Sequence, residues 1–302
     1  MNNRLGLLKA GYNFLSQSGI ANAQGESELF LAHVLGCARI ELYLDNVQVY
    51  APKLRRFWGL LSERADGLPL QYLLGTTEFM GLPFKVRPGV FIPRPETEVL
   101  VETVLRLKDS FSKILDTGLA PKILDTGLAP KILDLGCGSG NIAISCAKYL
   151  SNAKIFACDI SDSALKLSQE NALLNRVNIS LVKSYLFNAF KKDRQFSLIV
   201  SNPPYIKTAQ ISQLPRELNY EPKLAIDGGP DGLDYYRMII AQASEYLQTQ
   251  GVLVCEIGEE QKQPIIEILT KHPGLMFSSI TQDYNQKYRV LIAQKKQELW
   301  TN

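Results

Sequence analysis

Two short stretches hold residues whose types and order could do chemistry. One is Asn202-Pro203-Pro204-Tyr205, at the end of the apolar run Ser197-Leu198-Ile199-Val200; the other, upstream, is the Gly-rich turn Asp134-Leu135-Gly136-Cys137-Gly138-Ser139-Gly140. A planar amide or amine nitrogen is a poor nucleophile because its lone pair is delocalised. A site that alkylates one must hold both N–H groups with fixed acceptors and clamp the plane. The tetrapeptide supplies such parts. The Asn202 side-chain oxygen and the Pro203 carbonyl can each accept one N–H, Pro204 stiffens the turn, and the Tyr205 ring can stack on a flat group. Without any chemistry the same residues read as a strand-ending turn, since Asn-Pro and Pro-Pro are turn formers. Together with the Gly-rich turn, they point to methyl transfer onto a planar nitrogen.

Gly-x-Gly-x-Gly lets backbone approach a bound molecule closely, and Asn141-Ile142-Ala143 opens the next helix with free N–H groups nearby. By itself the pattern is shared by many nucleotide binders. Asp159 ends the next strand, roughly twenty residues on, where a carboxylate can accept from ribose hydroxyls. Asp134 could orient the loop or a cofactor amine, or serve only as a local turn acceptor. Cys137 lies inside the loop with no base near it in sequence, and reads as a small loop side chain rather than a nucleophile.

Composition narrows the classes. The chain has 302 residues, 46% hydrophobic, with Lys+Arg 33 against Asp+Glu 30 and a net charge of +3. That is enough for one large domain and a small one, and too balanced for a protein that coats nucleic acid. The cysteines Cys37, Cys137, Cys146, Cys158 and Cys255 are scattered, with no Cys-x-x-Cys pair, which fits a reducing compartment and argues against a disulfide framework or zinc site. His33 and His272 stand far apart, so no metal centre and no serine-type triad is expected. No apolar run reaches the ~18 residues of a membrane span. Met1-Asn2-Asn3-Arg4 does not begin a signal peptide, so a cytoplasmic location is expected.

The elements that must position these residues follow from periodicity. Residues 1–74 read as helical: Leu5, Leu8, Tyr12 and Leu15 at helical spacing before Gly19, then Leu29, Phe30, His33 and Val34 before Gly36, then Leu54, Trp58 and Leu61 after Pro52 and before Gly67. His33 is expected to be a partly buried helix residue and Trp58 a core or interface anchor. Residues 75–92 read as a hairpin linking two domains. Pro93-Arg94-Pro95-Glu96-Thr97-Glu98 then starts a helix carrying Leu100, Val101, Val104 and Leu105. Strands are expected at 132–135, 155–158, 179–182, 198–200, 252–255, 277–281 and 288–292, with helices between the first five. Apolar runs alternating with helices indicate a mostly parallel sheet covered on both faces. In such sheets a ligand binds beyond the carboxyl ends of the strands, where strand order reverses. Gly136 to Gly140, Asp159 and Asn202 all fall on that rim.

Lys-Ile-Leu-Asp-Thr-Gly-Leu-Ala-Pro occurs at Lys113–Pro121 and again at Lys122–Pro130, and Lys131-Ile132-Leu133-Asp134 begins a third copy that alone runs into the Gly-rich turn. The unit is too short for a solenoid. The third copy is expected to be the first sheet strand and 113–130 a surface insertion, tolerable because loop-closure entropy grows only logarithmically with length.

Further motifs complete a pattern over nearly the whole chain: Pro69-Leu70-Gln71-Tyr72-Leu73-Leu74-Gly75, Glu78-Phe79, Phe91-Ile92-Pro93-Arg94-Pro95-Glu96-Thr97-Glu98, Glu221-Pro222, Asp227-Gly228-Gly229 and Asp231-Gly232-Leu233. With the two core motifs, they make the chain resemble the release factor glutamine N5-methyltransferases, the PrmC/HemK family. The tandem insertion departs from the family pattern and leaves the motifs intact. The resemblance implies an α/β fold: a seven-stranded, mostly parallel, Rossmann-like S-adenosylmethionine-dependent methyltransferase sheet with a small N-terminal helical bundle. Its implied organisation is 1–74 for release-factor docking, 75–92 as a β-hairpin linker and 93–302 as the methyltransferase domain. The implied cofactor contacts are Gly136, Cys137, Gly138, Ser139, Gly140, Asp159, Tyr185 and Asn202. Asn202, Pro203, Pro204 and Tyr205 form the implied substrate clamp, with Asn202, Pro203 and Tyr205 catalytic. Without the resemblance Tyr185 reads as a strand-end core residue, and Arg94 and Glu96 could order the linker or touch substrate. The implied substrate is the Gln of the Gly-Gly-Gln motif in peptide chain release factors, with no stable nucleic-acid binding and no membrane. Two alternatives use the same features. A nucleic-acid amino-methyltransferase would need the same clamp on a flipped base but usually brings a basic recognition region; a non-catalytic module could retain the fold without the chemistry.

Overall fold

A computed structural model of the chain describes residues 3–113, 129–192 and 195–296. Most of the tandem repeat, and with it the expected surface insertion, lies outside the described residues. The chain divides into two compact units, Met1–Thr76 with Pro215–Tyr220, and Thr77–Leu214 with Glu221–Asn302.

The first unit is helical: α1 Arg4–Gln17, α2 Ala23–Leu35, α3 Glu41–Leu44, α4 Ala51–Ala65 and α5 Leu70–Leu74. Asn3 caps α1 by accepting from Gly6 N–H at 2.9 Å, Gly36 ends α2 in the left-handed conformation, and Pro52 sits in the first turn of α4. Leu8, Leu15, Phe30, Leu31, Phe57 and Leu61 form the core, with Trp58 packed against it. The inward face of α1 differs from the expected one. Leu7, Leu8, Gly11 and Leu15 are buried while Leu5 and Tyr12 are exposed, because α1 crosses so close to its neighbours that a Cβ on Gly11 would lie 2.8 Å from Phe57 Cζ. Arg64, buried on α4, pairs with Glu26 at 2.6 Å and with Glu217 at 2.6 Å, which ties residues 215–220 to the bundle. His33 is a half-buried helix residue whose imidazole is held below its usual range by burial and by the Arg56 guanidinium.

The second unit starts with the hairpin β1 Thr76–Phe79 and β2 Leu82–Lys85, turned by Met80 and Gly81, both at positive φ. Phe79 and Phe84 are buried in the sheet's own core, and Asn171 accepts from Lys85 N–H at 2.7 Å. The Pro95–Thr97 turn is 3-10, and α6, Glu98–Lys113, starts one turn later than the prolines suggested. Next come β3 Lys131–Leu135, α7 Asn141–Tyr149, β4 Lys154–Asp159, α8 Asp162–Asn175, β5 Ser180–Lys183 and β6 Phe196–Ser201. After these come α9 Asp234–Tyr246, β7 Leu247–Glu256, α10 Lys262–Lys271, β8 Leu275–Gln282 and β9 Tyr288–Lys295.

All seven expected sheet strands form, in the order β5-β4-β3-β6-β7-β9-β8, parallel except for β9 against its two neighbours. The helix expected between the third and fourth strands is absent from the described residues; successive turns span 185–190 instead. Alternation along the strands divides the core. Ile132, Leu198, Val200, Val252 and Val254 face the layer of α6 and α7, while Leu133, Leu135, Ile199, Leu253 and Cys255 face the layer of α9 and α10.

Candidate active site

Register builds the site. Leu135 pairs with Cys158 and with Ser201, and Ser201 pairs with Cys255, so these four stand in one row across β4-β3-β6-β7. Gly136, Asp159, Asn202 and Glu256, one residue beyond the row, therefore emerge along one edge of the sheet. From β3 the chain runs outward through β4 to β5, then returns to β3's other side as β6, so strand order reverses where Gly136 and Asn202 are neighbours. Ser201 Oγ donates to Leu135 O at 2.8 Å and locks the two strand ends together.

Gly136 and Cys137 N–H both donate to Cys158 O at 2.9 Å, folding the Gly-rich loop over the end of β4. Gly136, Gly138 and Gly140 take φ of 74°, 54° and 82°, which only glycine adopts without strain. A Cβ at Gly136 or Gly138 would meet nothing within 4 Å, so that face of the loop is open to a ligand. At Gly140 a Cβ would fall 2.3 Å from Ser168 Oγ, so the third glycine serves packing. The Cys137 and Ser139 side chains are buried, which leaves only their backbone for a ligand. Burial, with Asp134 and Asp159 nearby, pushes the Cys137 thiol up, so it is no nucleophile.

Asp159 braces the loop: its Oδ2 accepts from Gly138 N–H and its Oδ1 from Ser161 N–H, both at 2.9 Å, and burial raises its pKa. Asp134 is fully buried; its Oδ2 accepts from Ala143 N–H at 3.1 Å at the start of α7, and its Oδ1 has no hydrogen-bond partner among the described residues. Burial lifts its carboxyl to about 7. Tyr185 is 38% exposed, not a core residue. It lines an open cavity of about 400 Å³ with Lys223, Asp227, Asp234, Tyr235 and Met238.

The Asn202–Tyr205 turn is held from behind. Gln261 Nε2 donates to Tyr205 O and to Gly232 O, each at 2.9 Å, while its Oε1 accepts from Gly258 N–H at 3.0 Å. Ile206 N–H donates to Ile226 O at 3.0 Å and Gly228 N–H to Ile206 O at 2.8 Å. A Cβ on Gly228 would lie 2.8 Å from both Pro204 O and Tyr205 Cα, and one on Gly232 would lie 2.5 Å from Tyr205 O. Asp227-Gly228-Gly229 and Asp231-Gly232-Leu233 thus form the back wall of the turn. Pro203 is buried, while Asn202, Pro204 and Tyr205 are half-buried. Burial, with Glu256 near, pushes the Tyr205 phenol up to about 12, so it stays neutral. Arg94 pairs with Glu221, lies 4.9 Å over the Phe91 ring, and orders the 91–94 segment together with the Ile92 N–H donated to Glu221. Glu96 is exposed.

Three contributors escaped the motif reading. Asn202 Nδ2 donates to Thr97 Oγ1 at 3.1 Å; Glu256 lies buried against both; Gln261 clamps the turn. Thr97 stands inside the Phe91–Glu98 motif and Glu256 directly follows an expected strand, so the signal for both was their place at a strand end or helix start.

Residues 6–75 match the PrmC N-terminal domain family and residues 102–217 the Methyltransferase small domain family. The chain is 40% identical over 280 residues to the release factor glutamine methyltransferase of Geobacter sulfurreducens, covering 92% of each chain. It is 37% identical to that of Moorella thermoacetica, covering 94% of this chain and 95% of the other. Among solved structures, the hMettl16 catalytic domain in complex with MAT2A 3′UTR hairpin 6 shares the fold, with a TM-score of 0.53, 17% identity, and coverage of 79% of this chain and 83% of that one. Identity at that level over nearly the full length of both chains means that this protein belongs to the release factor glutamine methyltransferase family.

Proposed function

We propose that the protein transfers a methyl group from S-adenosylmethionine to the side-chain amide nitrogen of the Gln in the Gly-Gly-Gln motif of peptide chain release factors. The observation that carries this reading is the row of strand ends that sets the open Gly-rich loop, Asp159 and the Asn202–Tyr205 turn side by side. Residues 1–74 would dock the release factor, 75–92 link the domains, and 93–302 perform the transfer in the cytoplasm without stable nucleic-acid binding. Among the described residues no helix is long and apolar enough to cross a membrane.

The residues present fit the cofactor. Gly136 and Gly138 offer open backbone, Asp159 keeps acceptor capacity beyond the backbone N–H groups it already holds, and the half-exposed Tyr185 ring stands at an open cavity. When bound, S-adenosylmethionine supplies a methyl on a sulfonium, a leaving group that departs with the electron pair. The chain's own part is positioning and exclusion of water. Asn202 Oδ1 and Pro203 O accept the two amide N–H groups, and the Tyr205 ring covers the amide plane. No base is needed before attack, because the nitrogen becomes acidic only as its new bond forms, and the surplus proton leaves afterwards.

Single-turnover methylation of a release factor, of its Gln-to-Ala version and of duplex DNA, with labelled S-adenosylmethionine, tests the reading. Label should enter only the first. Tyr205→Phe should keep most activity, Tyr205→Ala should lose about tenfold or more, given ~1–3 kcal/mol for a stacked contact, and Asn202→Ala should lose more still. Full methylation by Asn202→Ala would defeat the clamp. Label in the Gln-to-Ala protein or in DNA would defeat the substrate.

A further inference from the structure

Glu256 is a buried carboxyl that the transfer just described does not use. Strand register sets it beside Asn202, and it is only 2% exposed. Its backbone is pinned: Tyr236 OH donates to Glu256 O at 2.8 Å, and Ile257 N–H donates to Arg289 O at 2.8 Å. Thr97 and Asn202 lie beside the carboxyl and both draw its pKa down, yet its Oε2 has no hydrogen-bond partner among the described residues. Buried polar atoms in folded proteins almost always have partners. A carboxyl with one oxygen left over is therefore poorly explained as packing.

The charged and titratable groups facing it come from every neighbouring element. Arg289 on β9 draws its pKa down but is itself engaged by Asp283 at 3.0 Å and by Ile257 O at 3.3 Å. Glu96, in the turn before α6, pushes it up. Tyr205 and Tyr236 complete the surroundings. Burial dominates and lifts the carboxyl to about 7.

A hydroxyl has one proton to give, and a carboxylate can only accept. When Glu256 is ionised, the Thr97 proton points to it, and Thr97 Oγ1 must accept from its other neighbour, Asn202 Nδ2, as observed at 3.1 Å. Asn202 Oδ1 is then turned away from Thr97 and is the atom left to accept a substrate N–H. When Glu256 is protonated it can donate to Thr97, whose own proton is released to Asn202 Oδ1. The amide then turns and presents NH₂ to the substrate's NH₂, donor against donor.

We propose that Glu256, acting through Thr97, is the positioning residue that sets the orientation of the Asn202 amide, and that the ionised carboxylate holds the transfer-competent orientation. This rests on the reading of Asn202 as acceptor for the reacting nitrogen. No bond to Glu256 forms or breaks.

Two measurements test it. The first is single-turnover methylation of a release factor across pH for the wild type, Glu256→Gln, Thr97→Val and Thr97→Ser, with thermal melting and S-adenosylmethionine affinity alongside. Wild-type turnover should fall as pH drops through about 7, the midpoint of the carboxyl. Glu256→Gln and Thr97→Val should lose about tenfold or more in turnover, equivalent to 1.4 kcal/mol or more, with cofactor affinity unchanged and the pH limb flattened. Thr97→Ser should restore both rate and limb. Wild-type turnover and pH profile in Glu256→Gln, or in Thr97→Val, would overturn the proposal while leaving the methyltransferase reading intact. The second measurement needs no substrate. The ¹⁵N side-chain amide resonances of Asn202, assigned by their absence in Asn202→Ala, should move with a midpoint near that of Glu256. Invariance of those resonances across that midpoint overturns the proposal even if the protein proves inactive on release factors.

Discussion

At the scale of single residues, Asp159 braces the Gly-rich loop and, in the proposed function, also binds the cofactor. Its carboxylate accepts from Gly138 and Ser161 N–H, and a carboxylate has about four acceptor positions. Asp159→Ala removes the brace and the remaining acceptor positions together. Affinity for S-adenosylmethionine should fall by about 1–3 kcal/mol, the range for hydrogen bonds to a charged group, while the melting temperature changes little because the loop lies at the sheet's rim. Isothermal calorimetry on the folded variant decides it, and unchanged affinity would remove Asp159 from the site. Positions of this kind are legible in sequence because few residue types can fill them: a loop at positive φ selects glycine, and a ribose hydroxyl at a strand end selects a carboxylate. Thr97 and Glu256 are different. Nothing in their types marks them, and what they do depends on which strand lies beside β6, a fact of topology rather than of local sequence.

At the scale of elements, the sheet was legible and the connections less so. The central strands, buried on both faces, read as continuous apolar runs, and all seven strands appear near the expected places. The connection from β5 to β6, expected to be helical, is filled by turns at 185–190. On α1, spacing alone could not distinguish Leu5 and Tyr12 from the true inward face, because Gly11 is a contact residue through its lack of a side chain. Glycine gives the same lesson at the Asn202–Tyr205 turn. Gly228→Ala places a Cβ 2.8 Å from the Pro204 carbonyl and the Tyr205 Cα, both backbone atoms that cannot rotate aside. It should destabilise the protein by about 1–3 kcal/mol, as overpacking does, and slow methyl transfer with little loss of cofactor affinity. Gly59→Ala, on the exposed face of α4 with open space around it, should instead stabilise by about 1 kcal/mol. Denaturant melts of the two variants with a methylation assay separate the outcomes. A Gly228→Ala enzyme as stable and as fast as the wild type would show that the 227–233 segment does not wall the turn.

Across the whole molecule, the carboxyls that burial raises lie in the sheet unit, and the pH dependence of stability should reveal it. In the sheet unit burial raises Asp134, from an ordinary 3.8, and Glu256, from 4.5, each to about 7, and also raises Asp159. In the helical unit the carboxyl of Glu28 moves the other way, lowered by Tyr43 and Arg39 despite burial. The signs follow from linkage. A carboxyl raised on folding keeps its proton in the native state after the unfolded chain has lost it, so its contribution is full below the unfolded pKa and is lost as pH climbs to the folded one. For Asp134 and Glu256 that window runs from about 4 to about 7, and each is worth on the order of 3–4 kcal/mol across it. Glu28 contributes above its unfolded pKa and loses that contribution only as pH falls through its depressed value, so it adds no slope near neutrality. The sheet unit should therefore weaken steadily as pH rises through the window while the helical unit does not. Asp134→Asn keeps an acceptor for Ala143 N–H but cannot ionise. Urea unfolding followed by hydrogen exchange, unit by unit, at the two ends of the window should show a steep decline for the sheet in the wild type and a shallower one in Asp134→Asn. Equal slopes in the two proteins would mean that Asp134 is not protonated when folded, and that its unpartnered oxygen is satisfied by a donor from outside the chain.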